Sequence, residues 1–126
     1  MTEPAPSLEL LEHMPGPAYA TDCEGRVVFA NPSFSALVGR PRAELLGHRL
    51  EDVLPLHLVA DAVEHEQQVA TVGMPISRQI RVDAPSGVQR TWLVTKFPRL
   101  RDGMLLGLGT IVADVSDQVR ESETAH

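Results

Sequence analysis

The chain has 126 residues, 43% apolar composition and a net charge of −6 from 17 acidic and 11 basic residues. That suits one domain with a continuous core and leaves no room for a second. The negative balance, with no basic stripe, argues against nucleic acid as a direct partner. No apolar run approaches the roughly 20 residues that cross a bilayer, and the first residues lack the basic flank and long apolar stretch of a signal peptide. A cytoplasmic chain with no membrane partner is expected. The single cysteine, Cys23, excludes an internal disulfide and a Cys-rich metal site.

Residues 1–6 are Pro-rich and read as a disordered N-terminus. Ser7 can cap a short helix carrying Leu8, Leu11 and Met14, which Pro15-Gly16-Pro17 ends. Ala18–Thr21 and Val27–Ala30 flank a turn with a late glycine, Gly25, and read as a hairpin. Asn31-Pro32-Ser33 is a helix start, with Asn31 as cap and Pro32 in the first position; Phe34, Leu37 and Val38 are its apolar residues. Short helical pieces follow at Ala43–Leu46 and around Leu50, Val53 and Leu54. The longest helix runs from about Leu56 to Val72, stopped by Gly73-Met74-Pro75. Three β segments then span Ile76–Asp83, Val88 to about Phe97, and Met104–Ala113. Two strands, a helical middle and a three-strand meander predict an α+β domain: a five-stranded antiparallel sheet with helices on one face, enclosing a cavity.

Four features then carry a family resemblance: Ala20-Thr21-Asp22 with Gly25-Arg26-Val27; Asn31-Pro32-Ser33-Phe34; Leu45-Leu46-Gly47; and Asp114-Val115-Ser116. In this order and spacing the chain resembles PAS sensory domains over residues 7 to 120. The resemblance implies strand order 2-1-5-4-3 and a domain over 7–116, with residues 117–126 opening a signalling helix. It also implies a small-molecule ligand or cofactor, homodimerisation, and relay to an output domain such as a kinase, phosphatase, cyclic-nucleotide enzyme or transcription regulator.

Two cofactors of that family find no match here. The flavin-thiol light sensors read Asn-Cys-Arg where this chain reads Gly47-His48-Arg49-Leu50, and Cys23 is misplaced for thiol attachment of a chromophore. Alignment on the helix ends puts Ala62 at the axial position of the haem-binding members, with His65 one turn later. His57, Asp61 and His65 recur every four residues and share a helix face. That face is polar, so a solvated surface is expected there rather than a metal site.

The opposite face presents Leu58, Ala62 and Val69, with Glu66 among them. Strand parity and helix spacing add Phe34, Leu37, Leu46, Val53, Ile80, Trp92, Val94 and Ile111 as candidate cavity walls. Glu66 and Arg78 are the polar intruders. They either pair with each other, supply hooks in an apolar pocket, or sit at its rim with Arg78 snorkelling. Leu105, Gly107, Gly109 and Ile111 share one strand face, where the glycines leave room for a ligand or let another surface approach.

No nucleophile-base order or phosphate loop appears, and an isomerase built on Tyr19 and Asp22 would have both at one strand end. The expectation is a non-enzymatic sensor. The alternatives are a docking module with a filled core, dimerising through Leu8, Leu11 and Met14, and a small stand-alone enzyme. Asp114 and Ser116 are the candidate signal-relay residues, placed where capping groups start the exit helix.

Overall fold

A computed structural model describes residues 8–83 and 86–119. The expectations for residues 1–6, for Ser7 as a cap and for the chain beyond 119 lie outside those residues. In chain order the elements are α1 (Leu8–Glu12), β1 (Ala18–Asp22), β2 (Val27–Ala30), α2 (Pro32–Val38), α3 (Arg42–Leu45), α4 (Leu50–Val53), α5 (Leu56–Val72), β3 (Ile76–Asp83), β4 (Gln89–Arg101) and β5 (Met104–Asp114). The strands form one five-stranded sheet in the order β2-β1-β5-β4-β3, antiparallel at every pairing.

Asn31 explains why the hairpin passes directly into α2. It is fully buried, and its Oδ1 accepts from the backbone N–H groups of Phe34 and Ala18, each at 2.9 Å. Its Nδ2 donates to the carbonyls of Leu11 at 3.0 Å and Gly16 at 2.9 Å. One side chain therefore caps α2 and pins the loop after α1 to β1, leaving no buried amide atom unpaired. Asp22 plays a smaller local role, its Oδ1 accepting from the backbone of Glu24 and Arg26 across the hairpin turn.

The sheet is covered on both faces. On one, helices α2 to α5 pack over a core of Tyr19, Val27, Ala30, Phe34, Leu45, Leu50, Val53 and Ala62. On the other, α1 lays Leu11 against Ala18 and Phe97, joined by Leu8, Met14, Phe29 and Ile111. This corrects the reading of Leu8, Leu11 and Met14 as a free dimerisation face. Leu11 is 1% exposed within a single chain, so the sheet already satisfies that apolar stripe.

The glycines of β5 serve the second of their two expected uses. A Cβ on Gly109 would lie 2.3 Å from the Phe97 ring, and one on Gly107, where φ is +147°, would lie 1.9 Å from the Thr21 carbonyl oxygen. Gly109 thus admits an aromatic ring on the α1 face, and Gly107 admits the backbone of β1. Neither leaves room for a ligand.

Candidate functional site

Between α5 and the sheet lies a cavity of about 50 Å³, lined by Phe34 and Leu37 of α2, Leu54, four residues of α5 and the inward side chains of β1, β3, β4 and β5. Seven of the expected wall residues line it: Phe34, Leu37, Leu58, Ala62, Ile80, Trp92 and Val94. Four other expectations are corrected by the backbone. Leu46 follows the last residue of α3 in extended conformation and is 40% exposed, because Leu45 takes the inward position. Val53, the last residue of α4, is buried in the core without lining the cavity, and Leu54 lines it instead. Ile111 faces α1, since Thr110 and Val112 hold the inward parity of β5.

The fourth correction concerns the pairing offered as one alternative for Glu66 and Arg78, which do not meet. Arg78 reaches the edge of α5, donating to Asp61 at 3.0 Å, Glu64 at 3.4 Å and Gln68 at 2.6 Å. Glu66 instead pairs with Lys96, whose Nζ donates to Glu66 Oε2 at 3.1 Å, Tyr19 Oη at 2.7 Å and Thr110 Oγ1 at 2.9 Å. Lys96 is 1% exposed, and its ammonium lies 4.9 Å from the centre of the Tyr19 ring. Tyr19 in turn stacks at a tilt on Phe34, with ring centres 4.5 Å apart. Burial disfavours the Lys96 charge, but the Tyr19 hydroxyl and the Glu66 carboxylate outweigh it and hold the proton above the ordinary lysine range.

Lys96 is the residue that reasoning from the sequence missed. Its signal was period-two alternation: Trp92 and Val94 were already assigned inward, and Lys96 continues their parity. A lysine is ordinarily exposed, and the partners on β1, β5 and α5 are what hold this one inside.

His65 is the second correction on α5. Expected on a solvated face, it is fully buried and lines the cavity, with Nε2 donating to the Ile76 carbonyl at 2.7 Å. The helix buries Ala62, His65 and Val69, so the inward stripe includes His65 where hydropathy had favoured Glu66. Desolvation lowers the His65 pKa below its ordinary value, aided by Lys96 and Arg78 and opposed by the Ile76 bond and Asp61. Its Nδ1 is buried without a hydrogen-bond partner among the described residues. With Asp61 engaged by Arg78 and His65 turned inward, His57, Asp61 and His65 do not converge on a common point. A porphyrin or a flavin ring does not fit a cavity of this size, and the Nε2 a haem iron would need is occupied by the Ile76 carbonyl.

A wider, polar cleft of about 330 Å³ lies at the β1–β2 turn, bounded by Asp22, Cys23, Arg49, Glu51, Gln67 and Gly107. Glu66 borders it and so stands between cleft and cavity.

At the far end of β5, Asp114 and Ser116 tie the exit segment to β4. Arg90 Nε donates to Asp114 Oδ2 at 2.9 Å, and Asp114 Oδ1 accepts from the Ser116 backbone at 3.0 Å. Ser116 Oγ accepts from the Thr91 backbone at 2.9 Å. The Arg90 and Ser116 bonds depress the Asp114 carboxyl to about 2. A helical turn starts at residue 116. Trp92, paired with Asp114 across the strands, lines the cavity, so one stretch of β4 touches both cavity and exit.

A family model described as the PAS fold matches residues 11–120. No curated protein matches the chain in sequence. Among solved structures, VqmA of Vibrio cholerae in a ligand–DNA complex is 22% identical with a TM-score of 0.73, covering 90% of this chain and 53% of that one. VqmA bound to DPO is 22% identical at a TM-score of 0.71, over 85% of this chain and 56% of the other. The PAS domain of Bordetella pertussis BvgS is 22% identical at a TM-score of 0.63, covering 94% and 92%. The chain therefore spans about half the length of the VqmA chains it matches. With the family's residues matched from α1 to the exit turn and its strand order present in the sheet, this chain belongs to the PAS family.

Proposed function

We propose that this domain is the sensory input of a signalling protein, binding a compact small molecule between α5 and the sheet and relaying occupancy through β4 and β5 to the segment after Asp114. One observation carries the reading. An apolar cavity contains a buried ammonium held by Tyr19, Thr110 and Glu66, and such a group costs folding energy that apolar packing would avoid. The fold similarity to VqmA bound to DPO is compatible with it. Homodimerisation and an attached output domain belong to the same proposal. No helix among the described residues is long and apolar enough to cross a membrane.

The second reading, a docking module with a filled core, is favoured by the cavity volume. At about 50 Å³ it is well below the roughly 300–1,000 Å³ of common ligand sites. Native mass spectrometry of the whole chain, after exposure to a small-molecule extract, separates the two. The sensing reading expects a bound mass that is lost in Ala62→Leu, which fills the cavity from α5. A clean unliganded spectrum from both proteins overturns it in favour of docking.

A further inference from the structure

His65 offers the cavity a hydrogen-bond function that the protein leaves unused. The Ile76 carbonyl can only accept, so the 2.7 Å contact requires the proton on Nε2, and the neutral ring then presents Nδ1 as a bare acceptor. That atom is buried, the residue is fully enclosed and lines the cavity, and no group among the described residues satisfies Nδ1. A buried acceptor without a partner is costly, so an occupant that supplies a donor gains by relieving it.

The other polar groups around the cavity narrow the occupant's chemistry. An ammonium has three N–H bonds, and those of Lys96 go to Tyr19, Thr110 and Glu66. Its charge is balanced by Glu66, and Asp61 is matched by Arg78. Among the described residues lining the cavity no free cation remains to attract an anion, and an anionic occupant would meet the Nδ1 lone pair. Resting on the sensing role proposed above, we propose that the occupant is a compact, neutral molecule whose N–H or O–H donates to His65 Nδ1. Burial lowers the His65 pKa and so favours the neutral ring this requires.

Pyrrole and furan test this directly, because they are five-membered rings of near-equal size of which only pyrrole has an N–H. The whole chain, labelled with ¹⁵N-histidine and ¹³C side chains, is titrated with each. Resonances of Leu58, Ile80 and Trp92 report entry into the cavity, and the His65 Nδ1 resonance reports the hydrogen bond. Both rings should perturb the walls, with pyrrole binding about 10-fold tighter or more and alone shifting Nδ1. Equal affinities with Nδ1 unmoved would overturn the His65 assignment while leaving the cavity as a binding site. Absence of wall perturbation by either ring would overturn the cavity reading and this inference together. His65→Leu should abolish the preference for pyrrole, and a preserved preference overturns the assignment; if that variant does not fold, the Nδ1 resonance of the unaltered chain decides.

Discussion

Replacing Lys96 with Met removes one charge from the cavity wall while keeping a long, flexible, apolar stem. Three hydrogen bonds disappear, at 2.7, 2.9 and 3.1 Å, and Tyr19 and Thr110 keep hydroxyls facing a dry wall. Glu66 is left as a carboxylate whose side chain is only 16% exposed. Breaking a buried ion pair from one side costs about 3–5 kcal/mol. Because Glu66 borders the polar cleft and can turn towards water, the lower end applies, about 3 kcal/mol. Removing the second charge as well, in Lys96→Met with Glu66→Leu, eliminates the stranded carboxylate and should recover at least about 1 kcal/mol of that loss. Urea denaturation of the two variants and the parent, followed by tryptophan fluorescence at a common slope, measures both differences. A single Lys96→Met variant within about 0.5 kcal/mol of the parent would refute the claim that the ammonium is a paired, buried charge. A double variant as stable as the parent, yet without a bound molecule, would show that the ion pair is kept for recognition.

Three further outcomes follow from the same contacts. Gly109→Ala places a methyl 2.3 Å from a Phe97 ring that is 5% exposed and wedged beside Leu11 and Ala18; it should destabilise the domain by about 1–3 kcal/mol in thermal unfolding, and an unchanged melting temperature would contradict the packing described. Asp114→Ala should cost about 1 kcal/mol as a lost cap and speed hydrogen exchange at the Ser116 amide while leaving cavity binding intact; since the Asp114 carboxyl lies at about 2, below its ordinary 3.8, its contribution is whole above pH 3.8 and lost as pH falls towards 2. His65 is depressed, so the unfolded chain takes up its proton first: stability should be whole above 6.5 and decline as pH falls from 6.5 towards the folded value, and a His65→Gln variant should remove that part of the slope in urea titrations at pH 8 and pH 5.

Much of this molecule is determined by local sequence. Asn31-Pro32 starts a helix because an amide cap and a fixed proline torsion favour one wherever they occur, and Gly73 ends α5 because its φ of +76° suits glycine. The approximate strand starts, the length of α5 and the antiparallel order follow from such signals with alternation and the family resemblance, whereas β4 runs on to Arg101, past the end expected near Phe97. Inward and outward were legible only where hydropathy and periodicity agreed, as at Phe34, Leu58, Ala62, Ile80, Trp92 and Val94. They disagreed at Lys96 and His65, and there only the tertiary structure decided. Lys96 is held inside by three groups from β1, β5 and α5, and His65 by a carbonyl on β3. A polar side chain is buried when its partners are in place, and those partners are distant in sequence, brought together only by the sheet.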